Sequence, residues 1–288
     1  MTASGPDGLL VVDKPGGITS HDVVARVRRA LGTRKVGHAG TLDPMATGVL
    51  VLGVGRATRL LGQLTLTEKA YDATIRLGAT TTTDDAEGEV TSTAATDGLS
   101  EAEVRDRLGD LVGEIDQVPS AVSAVKVDGK RAYARVRAGE EVELPARRVR
   151  VDNLDVRRLE LPDLDVAVRC SSGTYVRAIA RDLGASLGVG GHLTALRRTS
   201  VGPFALDVAC PLDDVDAGRL LTMEQAVALA FPTYPLSGEQ ATDVGYGRRI
   251  AADLGGDDPV ALLAPDGRFL ALYRQDGDHA RAVAVFTG

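Results

Sequence analysis

The run VLVLGV at residues 49–54 is apolar at almost every position. A strand of this kind has both faces covered, so it lies inside a sheet with further layers above and below it. Residues 69–77, KAYDATIRL, alternate instead, with Tyr71 in the apolar set, and predict a strand with one buried face. Further strands are predicted at residues 9–13 and 164–170, and helices after Ser20 as N-cap, after Ser100 and from Val176.

Length and composition set the outer limits. The chain has 288 residues, 44% of them hydrophobic, which is enough for one large or two ordinary domains and excludes general disorder. Cys170 and Cys210 stand far apart without a CxxC pair, so a disulfide framework and a structural zinc site are not expected. Because no apolar run approaches the length of a membrane span and no leader-like segment begins the chain, we expect a soluble, cytoplasmic protein.

The chain changes character twice. Residues 119–150 hold few large apolar residues, many arginines and a turn at Val127 to Lys130, and predict a surface hairpin or flap. After Pro211 the sequence becomes acidic, with a helix around residues 223–229 followed by short strands. These shifts predict a first domain over residues 1–211, which includes the flap, and a small β-rich domain over residues 212–288.

Gly53-Val54-Gly55 follows a strand, as in a dinucleotide-binding loop. The sixth position of the pattern is Thr58 rather than glycine or alanine, and no acid lies about 20 residues further on. The pattern favours an ordinary turn and leaves a nucleotide-dependent oxidoreductase as a remote alternative.

The loop of residues 37–48, GHAGTLDPMATG, places Asp43 just before the buried strand and His38 five residues earlier. An Asp-Pro pair often starts a turn, and this is the more common role of such an aspartate. Loops also carry functional residues, so a catalytic carboxylate is the alternative. His38 by itself is more often a hydrogen-bonded structural residue than a catalyst.

Two arginines follow the segment SSGTY. Arg177 and Arg181 are four residues apart on one helix face, where they could bind an anion or a buried carboxylate or simply face solvent. Tyr71 belongs to the core pattern of its strand, yet a tyrosine near basic loops is also a platform for a nucleobase.

The combination of segments is more specific than any one of them. DKPGGITS (13–20), GHAGTLDPMATGVL (37–50), KAY (69–71), PSAVSAVKVDGKRAY (119–133), SSGTYVRAIARDLG (171–184) and HLTALRRTSVG (192–202) occur in this order. The series resembles the TruB-type tRNA pseudouridine synthases over about residues 9–210. The resemblance implies an α+β fold with a mixed, largely antiparallel central sheet flanked by helices, and a PUA-like C-terminal domain.

The resemblance also assigns roles. Asp43 matches the catalytic aspartate of the family, Tyr71 the tyrosine that stacks on the target base, and Arg177 the arginine that pairs with the catalytic carboxylate. Three further positions match residues around the uridine, with His38 next to the flipped nucleotide and Tyr175 and Leu196 in the pocket wall. Lys14 and Arg181, in two of the matching segments, are predicted to bind RNA. Thr199 departs from the usual hydrophobic residue.

The implied activity is isomerisation of uridine to pseudouridine in the TΨC loop of tRNA, at position 55, by base flipping. Asp43 would attack the glycosidic carbon, add to uracil C6 or remove the ribose 2′ proton, and Tyr71 is a candidate proton relay. The partner is tRNA; no cofactor, metal, membrane or obligatory protein partner is expected, and the chain is predicted to be a monomer. An RNA-binding or tRNA-folding chaperone remains the alternative.

The net charge of -7 excludes a protein that coats nucleic acid without selectivity. Residues 20–60, 126–158 and 169–198 nevertheless carry net charges of +5, +4 and +4. These windows contain or adjoin the Asp43 loop, the flap and the Arg177 helix. The charge pattern therefore predicts a one-sided RNA enzyme whose binding weakens as salt rises.

Overall fold

A computed structural model describes residues 5–120 and 144–287, together with the backbone of residues 126–127 and 130–131. The strands are β1 (Gly8–Lys14), β2 (Val36–His38), β3 (Thr47–Val54), β4 (Lys69–Leu77), β5 (Ala79–Thr81), β6 (Val90–Thr93), β7 (Gly113–Gln117), β8 (Lys126–Val127), β9 (Lys130–Arg131), β10 (Arg147–Glu160), β11 (Asp163–Cys170), β12 (Gly191–Val201), β13 (Phe204–Ala205), β14 (Cys210–Pro211), β15 (Thr233–Pro235), β16 (Val260–Leu263), β17 (Phe269–Asp276) and β18 (His279–Val285). The helices are α1 (Ser20–Ala30), α2 (Leu61–Thr65), α3 (Glu101–Gly109), α4 (Val176–Ser186), α5 (Met223–Ala230) and α6 (Gly238–Gly245).

One large sheet organises the first two thirds of the chain. Its strand order is β14-β1-β3-β12-β4-β11-β10-β7, with β2 paired to β3 and β13 paired to β12. The pairs β1–β14 and β3–β12 are parallel, and the other pairs are antiparallel. The predicted α+β class with a mixed, largely antiparallel sheet is confirmed.

The strand of residues 49–54 is covered on both faces, as its composition predicts. On one face Leu50 and Leu52 pack with Val23 and Val27 of α1. On the other face, Val49 and Val51 belong to a buried cluster with Leu60 and Leu64. The same cluster includes Val227 of α5 and Phe269 of the second sheet. β3 is thus fixed from both sides, and it positions the loop that precedes it.

β4 shows the predicted alternation. Tyr71, Ile75 and Leu77 belong to a core that α4 closes with Ile179 and Leu183, whereas Asp72 and Arg76 are exposed on the opposite face. Helix α4 therefore lies across the same face of the sheet as Tyr71.

A second, four-stranded sheet ends the chain, in the order β15-β16-β17-β18. Its predicted β-rich character is confirmed. The chain leaves the first sheet only after Leu221, which pairs with Leu9 through backbone hydrogen bonds of 2.8 and 3.0 Å. The boundary predicted at residue 211 comes before this contact, and it stays a prediction.

The predicted flap lies mostly outside the described residues. Within it, β8 and β9 pair antiparallel, and residues 128–129, in the expected turn, lie outside the described residues. Residues 121–125 and 132–143 lie outside the described residues, and Arg147–Arg150 already belong to β10 in the main sheet. Among the described residues, no helix has the length and apolarity needed to cross a membrane.

Candidate active site

A cavity of about 480 Å³ opens on the face of the sheet that carries Tyr71. Three parts of the chain form its walls: the loop between β2 and β3, the facing positions of β4 and β12, and the turn that enters α4. The residues are His38, Gly40, Thr41, Leu42, Asp43, Thr65, Lys69, Tyr71, Ser172, Gly173, Thr174, Tyr175, Val176, Arg177, Leu196 and Arg198.

Hydrogen bonds hold the Asp43 loop in a turn. The Asp43 carbonyl accepts a hydrogen bond from the Ala46 N–H at 3.1 Å, so Asp43-Pro44 does start a turn. From the other side, the Ser20 hydroxyl donates to the Leu42 carbonyl at 3.0 Å and accepts from the Leu42 N–H at 2.9 Å. The predicted capping role of Ser20 is wrong, because Thr19 caps α1 while Ser20 fastens the loop.

Lys14 lies beneath this loop rather than on its surface. It is fully buried, and its ammonium donates to the carbonyls of Pro15, Pro44 and Ala46 at 2.9, 3.2 and 2.6 Å. Burial lowers the pKa of Lys14 to about 8. A side chain in this position shapes the loop instead of facing RNA, which corrects the expectation drawn from its segment.

Arg177 forms a bidentate ion pair with the Asp43 carboxylate through two of its nitrogen atoms. Its Nε lies 3.1 Å from Oδ2 and its Nη2 lies 3.3 Å from Oδ1. The Arg177 side chain is 5% exposed and that of Asp43 is 34% exposed, so the carboxylate faces the cavity while its partner is inside the protein. Arg177 is therefore not the solvent-facing charge that helix periodicity allows.

Burial raises the pKa of the Asp43 carboxyl above its ordinary value. The neighbouring Arg177 opposes this rise, and the negative charge of Asp85 adds to it. The site therefore holds a carboxylate whose charge depends on a balance of buried neighbours.

Asp85 is a site residue that the sequence reasoning misses. Its side chain is 3% exposed, and its Oδ2 lies 3.2 Å from Nη1 of Arg177, which also donates to the Thr83 carbonyl at 2.9 Å. The signal available was the adjacent acid pair Asp84-Asp85 after a run of threonines. Its spacing says nothing about an arginine 92 residues away.

The floor of the cavity combines an aromatic ring with an aliphatic side chain. Tyr71 and Leu196 are both buried, on the adjacent strands β4 and β12. Burial raises the pKa of the Tyr71 phenol, so it is neutral near pH 7. Such a floor suits the face of a nucleobase.

Tyr175 and His38 also line the cavity. The Tyr175 N–H donates to the Gln117 side-chain oxygen at 2.7 Å, and the Gln117 amide donates back to the Tyr175 carbonyl at 3.1 Å. The His38 ring meets that of His21 edge to face, with centroids 5.6 Å apart. The sequence-predicted residues Asp43, Tyr71, Arg177, His38, Tyr175 and Leu196 thus line one cavity.

Arg181 lies one turn beyond Arg177 and contacts the other acid of the pair. Its guanidinium lies 3.2 Å from Asp84 and 2.8 Å from Asp182, and donates to the Val118 carbonyl at 2.8 Å. These contacts join α4 to the chain that follows β7. An RNA contact by Arg181 stays a prediction.

Ion pairs neutralise part of the positive charge of the predicted basic face. Arg148 pairs with Glu114 and Asp116, and Arg158 pairs with Glu160 and Asp165. The exposed basic side chains include a group on α1 and the turn after it: Arg26, Arg28, Arg29, Arg34 and Lys35.

Neither a nucleotide loop nor a metal cluster is found in the described chain. At the Gly53–Gly55 turn, the Asp7 carboxylate fills the space beside Gly55 and accepts a hydrogen bond from the Arg56 N–H at 2.7 Å. Within residues 5–120 and 144–287, no three His, Cys, Asp or Glu side chains are grouped to hold a metal ion.

Three consecutive parts of the chain match domains of known protein families. Residues 28–176 match the N-terminal domain of the TruB family pseudouridylate synthases. Residues 177–229 match the tRNA pseudouridylate synthase B C-terminal domain, and residues 231–287 match the C-terminal domain of tRNA pseudouridine synthase II.

Individual relatives agree with this match. The tRNA pseudouridine synthase B of Thermobifida fusca (strain YX) is 58% identical over 291 residues, covering 98% of this chain and 99% of the relative. That of Nocardia farcinica (strain IFM 10152) is 60% identical over 290 residues, covering 96% and 92%.

Solved structures share the fold. A chain of the H/ACA RNP bound to a substrate RNA containing 2′-deoxyuridine has a TM-score of 0.74 at 25% identity, covering 98% of this chain and 85% of that one. A chain of the Cbf5-Nop10-Gar1 complex has a TM-score of 0.74 at 27% identity, covering 97% and 84%. Since the family match spans half of the chain and relatives match nearly all of it, this protein belongs to the TruB family of pseudouridylate synthases.

Proposed function

We propose that this chain converts uridine to pseudouridine in tRNA, at position 55 of the TΨC loop. Membership of the family supports the reaction, and the relatives' name, tRNA pseudouridine synthase B, supports the substrate. The position within tRNA follows from the resemblance of the GTLDPMATG segment, residues 40–48, to the enzymes with that specificity.

One observation carries the chemistry: Asp43 faces a cavity while a buried arginine holds both of its oxygens, at 3.1 and 3.3 Å. The reaction breaks the bond between ribose C1′ and uracil N1, turns the base, and joins C1′ to C5. Asp43 starts this exchange by attacking C1′, adding to C6 or removing the 2′ proton, and each route needs the ionised carboxylate. Arg177 favours the ionised form of the Asp43 carboxylate and fixes the orientation of its oxygens.

The cavity also explains how the base is held. A uridine in a folded loop must leave the stack, at a cost of a few kcal/mol, and stacking on the Tyr71 ring offsets part of it. Leu196 covers more of the uracil, and His38 takes the space the base leaves in the RNA. Exclusion of water keeps the detached uracil in place until it rejoins the ribose.

Asp43→Asn tests the proposal. The assay follows release of tritium from C5 of uridine in a tRNA transcript, beside a binding measurement on the same transcript. We expect turnover to fall by about a hundredfold or more, with tRNA affinity kept within a few-fold. Asp72→Asn, an exposed aspartate on the other face of β4, is the matched control.

Turnover near the wild-type level in Asp43→Asn would refute the catalytic assignment and leave a role in binding or folding tRNA. Position is tested separately, with a transcript that carries cytidine at position 55. Release of tritium from that transcript at the normal rate would refute the positional part alone.

We propose further that the protein acts as a cytoplasmic monomer, without cofactor, metal or protein partner. The isomerisation involves no redox change and no net hydrolysis, so it balances without a co-reactant. Sedimentation of the active enzyme and turnover in the presence of chelator test these points, and loss of activity on chelation would refute the metal-free mechanism.

The C-terminal part, from about residue 212, is proposed as a PUA-like module that holds the acceptor arm. Tyr246 is exposed there and Arg248 stacks on it, with Cζ 5.2 Å from the ring centroid. Arg248 and Arg249 are also paired with Asp243 and Asp276. We expect Tyr246→Ala to weaken tRNA binding without changing single-turnover rate, and unchanged affinity would refute the contact.

A further inference from the structure

Arg198 is the largest fully buried side chain of the described residues, at 1% exposure, and it lines the cavity. Its Nε donates to the Val49 carbonyl at 2.7 Å, its Nη2 to Gly40 at 3.2 Å and its Nη1 to Thr41 at 3.4 Å. In the described chain its acceptors are thus backbone carbonyls of β3 and of the Asp43 loop, without an ion pair to a carboxylate. A buried charge of this kind is costly, which indicates that the position needs a cation.

Tyr71 stands directly opposite Arg198 across the β4–β12 pair. Opposed side chains on one face of such a pair have Cβ atoms about 5 Å apart. Both side chains line the cavity, and the positive charge of the Arg198 guanidinium acts on the phenol. The guanidinium opposite Tyr71 is a group that only donates hydrogen bonds.

This pairing limits the direction of the phenol proton. A guanidinium cannot accept a hydrogen bond, so the Tyr71 O–H is not directed at Arg198 and is left to the cavity that both side chains line. A nearby cation also favours the phenolate over the phenol, in opposition to the burial of the ring. A proton relay needs both forms to be accessible.

We infer that Arg198 is a positioning residue that acts through Tyr71: it aims the phenol hydroxyl at the uracil and stabilises the oxygen while its proton is exchanged. The inference rests on the proposed function, in which Tyr71 relays a proton. In that step the C5–H bond of the rejoined uracil breaks and its electron pair forms the C5–C6 double bond, while the C6–N1 double bond opens and its electron pair on N1 takes up a proton from water. The proton passes to the Tyr71 oxygen as the phenol releases its own proton to water.

A double-mutant cycle tests the inference. Single-turnover rate constants for tritium release are measured for wild type, Arg198→Met, Tyr71→Phe and the double variant. We expect Arg198→Met to cost about tenfold or more in the wild-type background and less than about threefold in the Tyr71→Phe background. A merely structural arginine would cost the same factor in both, and that result would overturn the inference.

Arg197→Met is the matched control. Arg197 is the preceding residue on the opposite face of β12, its side chain 39% exposed and paired with Asp13 at 2.7 Å. We expect its rate constant to stay within about twofold of wild type, as for surface substitutions in general. A loss as large as that of Arg198→Met would show that any charge change in this strand disturbs the site, and would overturn the inference.

A spectroscopic titration gives a second readout. The near-ultraviolet phenolate absorbance of Tyr71 is obtained as the difference between proteins with and without Tyr71→Phe. We expect the titration to move to higher pH in Arg198→Met and to return part of the way in Arg198→Lys, which keeps the charge. An unmoved titration would overturn the inference.

Thermal melting shows whether Arg198→Met is folded at the assay temperature. Where it is not, Arg198→Lys carries the same cycle, and its loss is again expected to shrink in the Tyr71→Phe background. Full activity of Tyr71→Phe would remove the relay and with it the role of Arg198. The proposed function fails separately, through an active Asp43→Asn.

Discussion

Replacing Lys14 by methionine tests how a buried ammonium group supports the Asp43 loop. The group donates to the carbonyls of Pro44 and Ala46, and it has no exposed surface. Its pKa is lowered from 10.5 to about 8, chiefly by burial. Methionine has a similar length and carries no charge.

The sign of the pH effect follows from this lowered pKa. The unfolded chain keeps its lysine proton up to about pH 10.5, whereas the folded protein releases it near pH 8. At about 1.4 kcal/mol per pKa unit, the charged lysine costs the folded state about 3 kcal/mol below pH 8. Between pH 7 and pH 9.5 this cost falls by about 2 kcal/mol, so the free energy of unfolding of the wild type gains that amount.

Urea unfolding at pH 7 and pH 9.5, followed by circular dichroism, measures the effect. We expect the difference in unfolding free energy between wild type and Lys14→Met to change by about 2 kcal/mol in favour of wild type at the higher pH. Lys35→Met, at an exposed lysine, is the control and should show no such change. Parallel behaviour of wild type and Lys14→Met would refute the reasoning. Because the variant leaves loop carbonyls unpaired, we also expect its turnover to fall.

Other substitutions probe the same site. Arg177→Met removes the cation that lowers the Asp43 pKa, so the acid limb of the kcat–pH profile should move to higher pH. Asp85→Asn removes the anion that raises this pKa, so the same limb should move to lower pH. Movement in one direction for both variants would contradict this account. Gly48→Ala should cost at least about 2 kcal/mol in urea unfolding, since Gly48 has a φ of +98° and an added Cβ would lie 2.2 Å from a carbonyl oxygen of β12. Gln117→Leu leaves the Tyr175 N–H of the pocket wall without its acceptor and should raise KM more than it lowers kcat; an unchanged KM would contradict this expectation.

Local patterns predict the elements of the fold well where each residue has a single role. The apolar run of β3, the alternation of β4 and the helix capped by Ser100 all agree with the structure. Ser20 is the instructive exception. Thr19 and Ser20 are both suitable caps, and Thr19 takes the role because Ser20 bonds to Leu42, 22 residues away. A local pattern cannot choose between two adjacent hydroxyls when a distant loop decides.

The arginines show the same limit at the site. Spacing places Arg177 and Arg181 on one face of a helix, as the structure has them. It does not reveal that Asp84 and Asp85, consecutive in the chain, each pair with one of them. These pairs depend on how α4 crosses the sheet, which is a property of the tertiary fold.

The two interpretations of Asp43 are compatible, because they concern different atoms. Its backbone starts the turn: the carbonyl accepts from Ala46, and Pro44 contributes a fixed φ. Its side chain is left to meet Arg177. A flexible loop would lose conformational entropy each time it brought a carboxylate to a buried cation, whereas a turn that Ser20 and Lys14 hold in place has lost that entropy on folding. An Asp-Pro turn is therefore a reason to expect chemistry when a buried strand follows it and a buried arginine faces it.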